Sequence, residues 1–143
     1  MKKVTLGRTG LVVGQMGLEL SPLRKLSFAE CKRVMDKAFG YGVNFLDLGL
    51  PERETQKRIG HSIAGKRSEL ILAGSFVPKD KESLRKDLQW MLRDLKTDYL
   101  DILQIHDPDF ILRPGEESGL YDALLSAKKD GYIRNIGITT DTS

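Results

Sequence analysis

The chain has 143 residues, 40% hydrophobic and 30% charged, the composition of one folded domain spanning 1–143 rather than of a disordered or membrane-embedded segment. Its net charge of +3 comes from 23 basic and 20 acidic residues that intermingle, as in Lys79-Asp80-Lys81-Glu82, which predicts solvated helix faces and argues against a nucleic-acid-binding stripe. No apolar run approaches the roughly 20 residues of a membrane span, no signal core follows Met1-Lys2-Lys3, and the single Cys31 has no disulfide partner, so a cytoplasmic protein with no membrane contact is expected.

Val4-Thr5-Leu6 and Leu11-Val12-Val13 flank Gly7-Arg8-Thr9-Gly10, two β-prone runs around a glycine-bearing turn, and predict a hairpin. Gln15 to Leu20 follows as a first core strand. Ser27-Phe28-Ala29-Glu30 is a capping box, and Phe28, Cys31, Val34, Met35, Ala38 and Phe39 repeat behind it at helical spacing until Gly40 and Gly42. Cys31 on that stripe reads as a small core residue. Val43 to Gly49 is the second strand, with Asp47 near its carboxyl end. Arg53 to Ala64 forms a second helix with Ile59 and Ile63 inward and His61 on the surface.

Glu69 to Ser75 is the third strand. Asp80 caps a third helix with Leu84, Leu88, Met91, Leu92 and Leu95 as its stripe and Trp90 packing at the border. Leu100-Asp101-Ile102-Leu103-Gln104-Ile105-His106, closed by Asp107-Pro108, is a buried strand ending in histidine. A fourth helix uses Leu120, Leu124 and Ala127 and stops at Gly131. Ile133 to Thr139 is the fifth strand. Strict alternation of strands and helices implies an α/β fold with a parallel sheet and right-handed crossovers. The strand ends gather Glu19, Asp47, Ser75, His106 and Thr139 on one rim, where such folds keep their chemistry.

Five stretches together resemble the aldo-keto reductases. They are Thr5-Leu6-Gly7-Arg8-Thr9-Gly10-Leu11, Tyr41-Gly42-Val43-Asn44-Phe45-Leu46-Asp47 and Lys57-Arg58-Ile59-Gly60, then Thr97-Asp98-Tyr99-Leu100-Asp101 with Gln104-Ile105-His106, and Gly131-Tyr132-Ile133-Arg134-Asn135-Ile136-Gly137-Ile138. They follow in family order and spacing. The resemblance implies a partial (β/α)8 TIM barrel: an N-terminal hairpin plus five parallel strands alternating with four helices. It also implies carbonyl reduction with NADPH as the activity of the family.

The same resemblance places Asp47 and His106 at two of the four usual catalytic positions and exposes two substitutions. The family's Asp-Thr-Ala-x-x-Tyr supplies a proton-donating tyrosine where this chain has Glu52, and its Ala-Thr-Lys supplies a lysine where this chain has Ser75. The tyrosine protonates the carbonyl oxygen as hydride arrives, and the lysine lowers its pKa from about 10. A glutamate near pKa 4.3 is ionised at neutral pH and cannot donate unless burial beside Asp47 raises it. For the cofactor, Gly17-Leu18-Glu19-Leu20 replaces the family's Gly-Leu-Gly-Thr, and Thr139-Thr140 stands where a Ser-Asn pair holds the nicotinamide carboxamide. The family's dinucleotide-phosphate site comes mostly from strand-helix units beyond the fifth strand.

Three functional readings follow. The favoured one is a structural or partner-binding fragment without NADPH-dependent reductase activity of its own. The second is an NADP-dependent oxidoreductase completed by a partner. The third is a divalent-cation site in which Glu19, Asp47, Glu52 and His106 converge, by their chemistry alone, since they match no metal motif. Asp47 and His106 could equally hydrogen-bond each other or nearby backbone, and Glu52 could be a solvated loop acid. The open sheet edges and open barrel face predict self-association.

Overall fold

Residues 1–50, 52–106 and 113–139 are described by the computed structural model. The hairpin consists of β1 (Lys3–Thr5) and β2 (Val12–Gly14), antiparallel, with Lys3 opposite Gly14 and Thr5 opposite Val12. The Asn44 side chain pins it to the rest of the fold, accepting from Gly14 N at 2.8 Å and donating to Val12 O at 2.9 Å. Two backbone groups that the short hairpin leaves unpaired are satisfied in this way.

The sheet is parallel and strictly sequential: β3 (Leu18–Glu19), β4 (Phe45–Asp47), β5 (Ile71–Phe76), β6 (Leu100–His106) and β7 (Ile133–Thr139). In register, Glu19 lies beside Asp47, Asp47 beside Ala73, Ser75 beside Gln104, and His106 beside Thr139. The predicted strands are therefore all present, with the first and second shorter than the apolar runs that announced them. Leu20 and Leu48 lie beyond the last paired residues yet remain buried. Apolarity marks burial here, while pairing stops where a rim loop takes over.

Local chemistry sets the helix boundaries. In α1 (Phe28–Gly40) the Ser27 hydroxyl accepts from Glu30 N and the Glu30 carboxylate accepts from Ser27 N. In α3 (Lys81–Leu95) Asp80 and Ser83 form the same reciprocal cap. α2 (Arg53–Ser62) is capped by Glu52, and α4 (Leu120–Lys129) starts after Gly119 at φ +63°. Two short 3-10 turns, Ser21–Lys25 and Arg67–Glu69, were not evident from periodicity.

Alternate strand residues face the helices. Leu46 and Leu48, Leu72, Phe76, Leu103 and Ile105 meet Cys31 and Met35 of α1, Ile59 of α2, Leu84, Leu88, Met91 and Leu95 of α3, and Leu124 of α4 in one buried cluster. Each such leucine or phenylalanine is worth about 1.5–3 kcal/mol of burial. Cys31 is a core residue as its position on the stripe implied, taking a hydrogen bond from Ser62 Oγ at 3.6 Å. The α1 stripe is narrower than its spacing suggested: Phe28 and Val34 are exposed, and Phe28 makes an edge-on contact with the exposed His61 ring at 5.6 Å. The intervening strand residues look the other way. A Cβ on Gly137 would lie 3.1 Å from Gln104 Cγ and 3.7 Å from Ile102 Cγ2, so these three share the face that a closed barrel would make its lumen. One helical layer on a parallel sheet is the wall of a partial (β/α)8 barrel.

Candidate active-site rim

The carboxyl ends of the strands divide into an acidic half and a hydrogen-bonding half. On the acidic half, each carboxylate is engaged by backbone next to it. Glu19 Oε1 accepts from Ser21 N at 2.7 Å, and Asp47 Oδ1 accepts from Gly49 N at 2.9 Å. Glu52 Oε1 accepts from Glu54 N at 3.2 Å, and its Oε2 accepts from Thr55 N at 2.8 Å and from the Thr55 hydroxyl. The Thr55 hydroxyl bond is the largest influence on Glu52 and, with the backbone bonds from Thr55 and Glu54 and the nearby Arg58 charge, holds it below the ordinary carboxylate value against the opposing effect of burial. Glu52 is exposed rather than buried against Asp47, so the rise that would make it a proton donor does not occur. It is a helix cap, more specific than a solvated loop acid.

These three acids do not assemble into a ligand set. Among the described residues no group of three or more His, Cys, Asp or Glu side chains is placed to hold a metal ion. The local backbone bonds give the physical reason, since Glu19 and Asp47 are each drawn toward their own loop and Glu52 toward the first turn of α2. A cavity of about 340 Å³ opens beside Glu52, lined by Ser21, Arg24, Leu48, Leu50, Glu52 and Thr55.

On the other half, β5, β6 and β7 bring Ser75, Gln104, His106 and Thr139 together. Ser75 is buried at 8% exposure and its hydroxyl donates to Gln104 Oε1 at 3.5 Å, while the Thr139 hydroxyl donates to the same oxygen. His106 is half-buried two residues beyond Gln104, beside Thr139 in register. Gln104 belongs to the sequence motif Gln104-Ile105-His106, which does not by itself mark it as a site residue. Its signal was a polar residue inside an apolar strand, on the parity of His106. Of the residues expected to meet the nicotinamide carboxamide, Thr139 fits chemically, because a hydroxyl that donates to Gln104 still has lone pairs for an amide N–H. Thr140 lies outside the described residues, as do Asp107 and Pro108.

A second buried polar cluster lies at the opposite, amino-terminal ends of β5 to β7. Asp101 is fully buried and accepts from Arg67 Nη2 at 2.8 Å, Arg134 Nη1 at 3.1 Å and Leu72 N at 3.0 Å. Both guanidinium groups also lie on the Tyr99 ring, at 4.0 and 3.8 Å from its centre. In barrels of this type that end serves stability rather than chemistry.

With this architecture and rim in place, the comparisons with known proteins agree. The model of the Aldo/keto reductase family matches residues 10–143, and the chain belongs to that family. It is 34% identical to L-galactose dehydrogenase of Arabidopsis thaliana over 94% of this chain and 47% of that protein. It is 27% identical to the uncharacterized oxidoreductase YqkF of Bacillus subtilis over 98% of this chain and 49% of that protein. Among solved structures it superposes on the holo form of an aldo-keto reductase from Bacillus halodurans with a TM-score of 0.85 and 25% identity, over 99% of this chain and 51% of that one. The chain spans about half the length of the curated relatives it matches. Aldo/keto reductases generally use NADP(H). No helix among the described residues is long and apolar enough to cross a membrane.

Proposed function

We propose that this chain is an aldo-keto-reductase-like oxidoreductase domain that does not reduce carbonyls with NADPH by itself and acts as a structural or partner-binding fragment. The observation that carries this reading is the state of Glu52. At the position where the family's tyrosine would donate a proton, both carboxylate oxygens accept from the first turn of α2, and the group is held ionised. An ionised carboxylate has no proton to give. Ser75, where the family has lysine, carries no charge to tune a donor, and its hydroxyl is turned to Gln104. Asp47 and His106 keep the family positions without the two groups they would serve.

The test uses the chain alone with NADPH and an aldehyde or ketone, following cofactor fluorescence and absorbance. The expected result is no cofactor oxidation above the uncatalysed rate; sustained turnover by the purified chain overturns the proposal.

A second reading is favoured by the sheet's edge. The outer side of β7 pairs with no strand among the described residues, and its seven residues form a long edge. A partner that adds strands there, whether a second copy or a complementary chain, could supply both a donor and the cofactor's phosphate site, making the assembly an NADP-dependent reductase. Mixing the chain with such a partner would then produce NADPH oxidation that neither component shows alone.

A further inference from the structure

Outside the sheet, away from the rim, α3 and α4 leave a cavity of about 440 Å³ between them. Its floor is Leu88 and Leu92 of α3 with Ala123 and Ala127 of α4. Small side chains facing leucines leave room that a larger residue on α4 would fill. Along α3 the groove runs from Arg85 to Leu92, seven positions or about 10 Å. Both its volume and its apolar floor are those of a small-molecule site.

The two ends of the groove differ in charge. α3 and α4 run from the carboxyl rim to the amino-terminal end of the sheet, so the negative ends of both helices lie at the lower end. There Asp98, Asp130 and Tyr132 line the cavity. Gly131, at φ +84°, turns Tyr132 back under α4, where Tyr132 N donates to Ala127 O at 2.9 Å and Gly131 N to Lys128 O at 3.1 Å. Neither the Asp98 nor the Asp130 carboxylate has an ion pair or hydrogen bond among the described residues. Lys96, Lys128 and Lys129 are their neighbours in sequence, but none of them lines the cavity. The Thr97 hydroxyl is engaged with Arg67 Nε and Tyr99 O, which leaves the polar work of this end to the two acids. At the upper end stands Arg85, 3.8 Å from Glu82.

We propose that the α3–α4 groove binds a small aromatic amine, its apolar body along Leu88, Leu92 and Ala127 and its ammonium between Asp98 and Asp130. The Tyr132 ring adds a face to which a cation is attracted. An exposed carboxylate does little alone, so burial of the apolar body supplies the affinity and the charges choose the ligand. An anion of the same shape meets two acids and two negative helix ends and is refused. A diamine sets its second charge against Arg85, so one ammonium is preferred. The site lies away from the rim and requires no turnover, so it stands or falls separately from the inactivity proposed above.

The experiment titrates the full chain with tryptamine and, separately, with indole-3-acetate, following backbone amides by 1H–15N NMR. The expected result is a saturable shift with tryptamine at Leu92, Asp98, Asp130 and Tyr132, and an affinity for indole-3-acetate at least tenfold weaker. Asp98→Asn with Asp130→Asn keeps the shape and removes both charges; it is expected to bind tryptamine at least tenfold more weakly. Ala127→Leu fills the floor and keeps both charges, so it is expected to abolish the saturable shift, which simple attraction of a cation to surface acids would survive. If Ala127→Leu fails to fold, the double asparagine variant, with both changes at exposed positions, still decides the matter. No saturable shift with tryptamine, equal affinity for indole-3-acetate, or unchanged affinity in either folded variant overturns the proposal.

Discussion

Arg67 and Asp101 form an ion pair enclosed at the amino-terminal end of the sheet, with Nη2 to Oδ2 at 2.8 Å and side-chain exposures of 17% and 1%. The remaining Arg67 donors reach Thr97 Oγ1, Leu70 O and Tyr99 O, so the loop before β5 is tied to the start of β6 by one side chain. Asp101→Ala removes the acceptor for two guanidinium groups and for Leu72 N, and leaves Arg67 charged where water reaches it poorly. Breaking a buried pair from one side costs about 3–5 kcal/mol. Urea unfolding should show a loss of that size. A change below about 1 kcal/mol would mean that the network is solvated in solution.

Acid should expose the helix caps. Glu52 is held below its ordinary value chiefly by the Thr55 hydroxyl. Asp94 is buried, which alone would push it up, yet the hydrogen bonds from Arg53 and Arg93 bring it below the ordinary aspartate value. Both carboxyls are depressed in the folded chain, so their stabilisation is complete above the unfolded values of 4.5 and 3.8 and is lost as pH falls through the lower folded values. Thermal melting between pH 7 and pH 3 should therefore stay level and then fall. Glu52→Ala should lower stability at pH 7 by about 1 kcal/mol, the usual worth of a helix N-cap, and reduce the acid-dependent fall. An unchanged pH profile in Glu52→Ala would show that the carboxylate is not the cap.

Gly60 is required by the crossing of α2 and α3. A Cβ there would lie 2.6 Å from Asp94 O and 2.8 Å from Leu95 Cα, both backbone atoms that cannot move aside singly. Gly60→Ala, which on an open helix would stabilise by helix propensity, should instead cost about 1–3 kcal/mol through overpacking. It should also weaken the Arg53–Asp94 pair that bridges the same two helices. A rise in melting temperature would rule this out.

Much of the fold could be read from the sequence because its signals were local. The serine and glutamate of the α1 cap, the leucine stripe of α3 and the apolar run of β6 each specify their own element, and strict alternation specifies the parallel sheet. The site was less legible for a physical reason. Asp47, Ser75, His106 and Thr139 were found as strand ends, but Gln104 accepts from hydroxyls 29 and 35 positions away in the chain, a link that only the register makes. Glu52 was expected at a substituted position from the family resemblance, and its work as the α2 cap depends on where the helix begins. Arg67, Asp101 and Arg134 sit in separate segments and converge only once β5, β6 and β7 are aligned.

The edge of β7 carries the last prediction. The β3 edge is two residues long and offers little to pair with, whereas β7 presents seven residues. Ile138 is 52% exposed on that strand and no charge lies between Asn135 and Thr139 to discourage a neighbour. Natural edges usually carry such a charge, since an unblocked strand templates pairing with another chain. Sedimentation velocity at increasing concentration should show the chain self-associating in the micromolar range. Ile138→Lys places a cation on the exposed edge without touching the core and should return the chain to monomer with its helical circular dichroism intact. A clean monomer for the unsubstituted chain at those concentrations, or association undiminished by Ile138→Lys, would remove β7 as the interface.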